Sequence, residues 1–177
     1  MENTQEVSSG FSEQAAPQEK KDFFIGKQGT IRAVCVSEQK GTEKNPVERA
    51  HLTEQHGIDG DAHAGPWHRQ VSLLSYDKVE EFNRLGAQAQ PGAFGENLLV
   101  QGIDFRSLPV GTVLGTDTVR LRMTQIGKEC HAHCAIYYRV GHCIMPHEGV
   151  FAEVLCGGDV APGDTLTVLS LPENQIV

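Results

Sequence analysis

Between Gln125 and His147 the chain concentrates residue types able to do sulfur or metal chemistry. Cys130, Cys134 and Cys143 lie there with His131, His133, His142 and His147, which is three of the five cysteines and four of the eight histidines. Thiolate is the form of cysteine that attacks sulfur and binds soft metals, and cationic neighbours favour it. Lys128 and the histidines are neighbours of that kind. Two chemistries fit the cluster. Cys130-x-x-x-Cys134 with Cys143-x-x-x-His147 supplies four zinc ligands at local spacings that zinc sites use. The span between those pairs is shorter than in common fingers, and a chain of 177 residues needs no metal to fold. The other chemistry is a single reactive cysteine at a strand end over a pocket, serving as metal ligand or persulfide carrier. Cys35 and Cys156 read as small buried apolar residues.

Two glycine-rich stretches accompany the cluster. Gly57 to Gly65 interleaves small residues with Asp59, Asp61 and His63, and Pro66-Trp67-His68-Arg69-Gln70 follows. Such a loop lets backbone approach a ligand while His63 and Arg69 supply donors. The same residues also suit a long turn whose aspartates bond locally to backbone. Pro91-Gly92-Ala93-Phe94-Gly95-Glu96-Asn97-Leu98 offers a concave turn of N–H groups for an anion, or a plain connection. Neither stretch carries the glycine pattern of ordinary nucleotide-binding loops.

The elements that must hold these loops are short. Thr30–Val36 and Val71–Leu74 read as strands, with a weaker one over Val47–Thr53. Val119, Leu121 and Met123 alternate with Arg120, Arg122 and Thr124, giving one buried and one solvated face. Thr112–Leu114 can pair with that strand through Gly115-Thr116-Asp117. Leu166 and Val168 alternate with Thr165 and Thr167 after Ala161-Pro162-Gly163-Asp164, a type II turn. One helix stands out: Ser75 caps it, Asp77 favours its first turn, Val79, Phe82 and Leu85 share a face, and Gly86 ends it. The expectation is a mainly β domain, a barrel-like or strongly bent antiparallel or mixed sheet, with one or a few short helices. Residues 1–28 read as a polar, disordered tail, 29–170 as the domain and 171–177 as a C-terminal tail.

Hydrophobic residues at 39% and charged residues at 21% fit a globular chain, and the net charge of −8 gives no general attraction to nucleic acid or anionic lipid. No run approaches the roughly 18 to 20 apolar residues of a membrane span, and no secretory signal precedes the domain, which places the chain in the cytoplasm. Its five cysteines are then read as thiols.

Taken together, Gly60-Asp61-Ala62-His63-Ala64-Gly65 with Arg69-Gln70-Val71-Ser72-Leu73, then Gly92 to Leu98, Gly102-Ile103-Asp104-Phe105, Leu108-Pro109-Val110-Gly111 and Gln125 to Cys130 resemble the MOSC family. The family is named for the C-terminal domain of molybdenum cofactor sulfurase, and the resemblance runs from Gly29 to Leu169. It implies a barrel-like fold whose pocket accepts the pterin-bound molybdenum cofactor, with the signature cysteine falling on Cys130. That thiolate would bind molybdenum or carry sulfur to it, and Cys134 could resolve a persulfide. Arg69 and Lys128 are the candidate donors to the cofactor's phosphate, with Asn97 and His63 as neutral partners. The function implied is cofactor sulfur handling or delivery, or a small molybdenum-dependent reductase. A cysteine desulfurase, a molybdoenzyme or an electron donor would be the partner. A non-catalytic zinc-stabilised binding module is the rival. The chain departs from many family members in having Glu129, not proline, before the signature cysteine, and in its extra Cys134, Cys143 and histidines.

Overall fold

The computed structural model describes residues 23–129 and 134–173. Its strands are β1 (Gln28–Val36), β2 (Asn45–Val47), β3 (Ala50–Thr53), β4 (Gly57–Ile58) and β5 (Val71–Ser75), followed by helix α1 (Tyr76–Arg84). Then come β6 (Leu98–Gln101), a 3-10 turn at Phe105–Ser107, β7 (Val113–Gly115), β8 (Arg120–Ile126), helices α2 (Ala135–Val140) and α3 (Met145–Glu148), β9 (Val150–Cys156), β10 (Gly158–Val160) and β11 (Thr165–Ser170).

The main sheet runs β11-β7-β8-β9-β5-β6-β1-β2, and pairing of β11 with β1 closes seven of these strands into a barrel. A small sheet of β10, β3 and β4 flanks it. The barrel is mixed for a local reason. Parallel neighbours need a crossover, and α1 supplies it between β5 and β6, which pair in parallel with Leu73 opposite Leu98. The other strand pairs are antiparallel.

Side-chain alternation sorts the strands into two apolar layers. Val71 and Leu73 of β5, Leu98 and Val100 of β6, and Ile31 and Val34 of β1 fill the barrel interior with Phe105, Leu114, Leu121 and Val154. Leu74, Leu99, Ala33 and Cys35 point outward into a second cluster with Val79 and Phe82 of α1, Ile136 of α2 and Met145 of α3. A register irregularity between Ile31 and Ala33 lets β1 serve both layers. The three short helices thus cover one outer patch of the barrel, and the cavity opens beside that patch.

Most expected elements form. The β7–β8 hairpin pairs Leu114 with Leu121, and Thr116 Oγ1 accepts from the Thr118 and Val119 amides in its turn. The Ala161–Asp164 turn closes with Gly163 at φ +98° and an Asp164 N–H bond to the Ala161 carbonyl. Four expectations are corrected. Val47–Thr53 is two strands, not one: the chain bends at Glu48, so β2 joins β1 while β3 joins the small sheet. Leu85 does not share the buried face of α1; it is the C-cap residue and is exposed. Cys156 is exposed at the end of β9, whereas Cys35 is buried as expected. Ser75 occupies the N-cap of α1 but makes no side-chain cap bond, and Asp77 instead accepts from the Gly102 amide at 2.8 Å. Ahead of β1, Phe24 packs on the barrel core and the Gly26 amide bonds to the Val168 carbonyl.

Candidate functional site

A cavity of about 250 Å³ lies where three loops meet on the helix-covered side of the barrel. One wall carries His63, Trp67 and Arg69 from the loop between β4 and β5. A second carries Ala93, Phe94, Gly95 and Asn97 from the turn before β6. The third carries Lys128 after β8 together with Cys134, Cys143 and Met145 around α2 and α3. Gly41, Thr42 and Glu43 form an exposed rim, and Ser72 and Phe151 reach the cavity from the barrel strands.

Buried charge holds the first wall. Asp61 is fully buried and its Oδ1 accepts from the Ser37 amide at 3.0 Å and from Lys44 Nζ at 2.5 Å; Oδ2 accepts from the His63 amide at 3.1 Å. Lys44 Nζ, equally buried, also lies 3.1 Å from His63 Nδ1. Trp67 Nε1 donates to the His63 carbonyl at 2.7 Å, which ties the indole to the same loop. Partial burial pushes His63 below the ordinary imidazole value. The Lys44 ammonium acts in the same direction, Asp61 opposes it, and Lys128 and Lys40 add smaller downward effects. A histidine that titrates lower when folded stabilises the fold fully above about pH 6.5, and that contribution declines as pH falls toward the lowered folded value. His63→Gln should therefore flatten the acid side of the stability curve. Urea midpoints of both proteins from about pH 7.5 to about pH 5 check this.

Arg69 is held by stacking. Its guanidinium carbon lies 4.9 Å from the Trp67 ring centroid and 5.7 Å from that of Phe151. Its Nε is buried with no hydrogen-bond partner among the described residues. Among the described residues no carboxylate lies within ion-pair distance of it. A planar cation stacked on two aromatic rings, with no carboxylate beside it among the described residues, suits an anionic acceptor at the cavity wall.

The second wall corrects one expectation. The turn from Gly92 does not offer its N–H groups to an external anion, because Glu96 already supplies one from within. Glu96 is buried, and its carboxylate accepts from the Gly92 amide at 2.6 Å and the Phe94 amide at 3.1 Å. The Gly95 and Ala93 amides bond to the Gly92 and Gln90 carbonyls. Burial pushes Glu96 above the ordinary carboxylate range, while those amides and Lys44 pull it back. Asn97 is also engaged in the wall itself. Its Nδ2 donates to the Cys35 carbonyl at 3.0 Å, and its Oδ1 accepts from Ser72 N and Oγ at 3.1 and 3.0 Å. Cys35, behind this wall, is pushed up to about 12 by burial, with Glu96 adding to the effect, so it stays a thiol.

The third wall depends on one glycine. Gly127 has φ +75°, and a Cβ there would overlap the Pro146 carbonyl oxygen. Its amide bonds to the Gly149 carbonyl at 2.6 Å, which brings Lys128 alongside α3. Gly127→Ala is expected to cost about 2–4 kcal/mol, combining left-handed strain with overpacking. Thermal denaturation measures it, and an unchanged midpoint would show that the loop can move aside.

Of the residues singled out from sequence, the cavity brings together His63, Arg69, Asn97, Lys128, Cys134 and Cys143. Cys130, His131 and His133 lie outside the described residues. His147 is exposed and is not part of the cavity lining. Among the described residues no three His, Cys, Asp or Glu side chains gather as a metal site, so Cys134, Cys143 and His147 are not clustered as zinc ligands by themselves. Lys44 and Phe151 shape the site and escaped the sequence reading, while Phe94 and Glu96 were read only as parts of the glycine-rich turn. Glu96 alone carried a signal, as an acid inside an otherwise apolar and glycine-rich run.

The donor set bears on the cofactor that the resemblance implied. Arg69, Lys128 and His63 line a space shared with two cysteines, and this suits an anionic group bearing sulfur donors. No helix among the described residues is long and apolar enough to cross a membrane.

Comparisons with known proteins agree with the fold. The chain is 27% identical over 166 residues to the uncharacterized protein YflK of Bacillus subtilis, covering 86% of this chain and 73% of that one. The crystal structure of the YUAD protein from Bacillus subtilis superposes with a TM-score of 0.70 at 18% identity, over 82% of this chain and 97% of that one. YiiM from Geobacillus stearothermophilus gives a TM-score of 0.58 at 18% identity, over 81% and 80% of the two chains. These likenesses to solved structures establish the barrel. The MOSC domain profile matches residues 59–167, which is more than half of the chain and takes in all three cavity walls. Membership implies a role related to the molybdenum cofactor in general terms. The chain therefore belongs to the MOSC domain family.

Proposed function

We propose that this protein binds molybdenum cofactor in the cavity and handles or delivers the cofactor's sulfur through Cys130. The observation that carries the reading is Arg69, stacked on Trp67 and Phe151 with a buried Nε that no group among the described residues satisfies. A buried donor without a partner is costly in a folded protein, and Arg69 lines the cavity, where an anionic ligand would pair with its cationic guanidinium.

In this reading Arg69 and Lys128 hold the cofactor's phosphate and His63 adds a neutral hydrogen bond. Bound cofactor supplies a molybdenum centre with sulfur ligands, for which a soft thiolate is a suitable partner. Lys128 and Cys134, which flank Cys130 in the sequence, both line the cavity. Cys134 is exposed at the start of α2, available to resolve a persulfide. Trp67, Phe94 and Phe151 give the cavity an apolar lining, in which polar contacts to a ligand are less screened. The sulfur would come from a partner such as a cysteine desulfurase.

The test is expression in a host that makes the cofactor, purification without added metals, and elemental and pterin analysis. Molybdenum with releasable pterin is expected, lost in Cys130→Ala and retained in Cys143→Ala. Stoichiometric zinc without pterin would overturn the reading in favour of a zinc-stabilised module using Cys130, Cys134, Cys143 and His147. Turnover of an N-hydroxylated compound with an added electron donor, without sulfur transfer, would make the protein a reductase instead.

A further inference from the structure

We propose that Lys44 is a positioning residue for the cavity, holding His63 as the neutral tautomer protonated at Nε2. An ammonium group has three protons and no acceptor. Three acceptors surround Lys44 Nζ: Asp61 Oδ1 at 2.5 Å, His63 Nδ1 at 3.1 Å and Ser37 Oγ at 3.4 Å. Each proton has one destination, and His63 Nδ1 can only accept. The ring proton therefore sits on Nε2, the other nitrogen of a ring that lines the cavity. The competing arrangement, with Nδ1–H donating to Asp61, is disfavoured by distance. Asp61 Oδ2 is 3.8 Å from Nδ1 and already accepts from the His63 backbone amide.

The consequence is selectivity. His63 presents a neutral N–H donor to any occupant without first taking up a proton. It favours a ligand oxygen that accepts, such as a phosphate or carbonyl oxygen, and opposes a ligand group that itself donates. The charged groups around the ring agree with this state: Lys44, Lys128 and Lys40 oppose an imidazolium, and Asp61 alone favours one. The donor's use in ligand holding rests on the functional reading above, whereas the tautomer is a property of the free protein, so the two can fail separately.

Long-range proton–nitrogen NMR of the full chain, with His63 assigned by His63→Gln, decides the tautomer. The expected wild-type signature at about pH 8, where the ring is neutral, is a bare Nδ1 and a protonated Nε2. In Lys44→Met the buried Asp61 carboxylate should draw a proton to Nδ1. In Lys44→Met with Asp61→Asn, which removes both charges, the ring should sample both tautomers. A wild-type spectrum with Nδ1 protonated at neutral pH overturns the proposal, and so does a double variant that folds and keeps the single Nε2–H signature. If neither variant folds, the wild-type spectrum decides. Inorganic phosphate titrated into the wild type should shift Nε2 and leave Nδ1. A titration that moves neither overturns the donor's part in ligand holding.

Discussion

Asp61→Ala is expected to lower folding stability by about 3–5 kcal/mol, the scale for removing one partner of a buried ion pair. The Lys44 ammonium would remain fully buried without its counter-charge, since Asp61 is the carboxylate that pairs with it. Two backbone amides, those of Ser37 and His63, would lose their acceptor as well. Against a domain stability of roughly 5–15 kcal/mol this is a large loss. Trp67 is the single tryptophan and belongs to the affected loop, so its fluorescence reports urea unfolding directly. The double variant Lys44→Met with Asp61→Asn should be milder than Asp61→Ala, because no lone charge is left inside. A loss under about 1 kcal/mol for Asp61→Ala would mean that water reaches this pair.

Arg69→Ala is expected to separate binding from stability. Losing a charge-assisted hydrogen bond to an anionic ligand is worth about 1.5–3 kcal/mol, or roughly ten- to 150-fold in affinity for the cofactor. Folding stability should change far less, because the substitution also removes the one buried side-chain polar atom that lacks a partner among the described residues. Arg69→Lys should rescue binding poorly, since a lysine has neither the flat fork nor the stacking face that Trp67 and Phe151 grip. Pterin retained per protein chain, measured beside the thermal midpoint, reads both quantities. Equal retention in wild type and Arg69→Ala would remove Arg69 from the ligand site.

Much of the framework was legible because it is local. Alternation at Val119, Leu121 and Met123 marked a half-buried strand, and all three are buried as that period requires. Pro162 and Gly163 specified their turn through their own backbone limits. Local reading failed where a tertiary contact outranked propensity. Ser75 looked like a side-chain cap but makes no such bond, and Asp77 spends its carboxylate on the Gly102 amide, 25 residues away. The turn before β6 read as either an anion site or a plain connection, and Glu96 decides for the connection by occupying the Gly92 and Phe94 amides.

The sequence by itself determined the strand-rich class, the helix that makes one barrel pair parallel, and which residue types are able to bind an anion or a soft metal. Those properties follow from periodicity, turn chemistry and functional groups, which act over a few residues. Only the tertiary structure decided that Lys44 would be buried against Asp61 and His63, and that Phe151 would meet Arg69 from a strand 82 positions on. Phe151 reaches Arg69 because β9 pairs with β5, strands distant along the chain, and no local pattern encodes which charge ends up beside which ring.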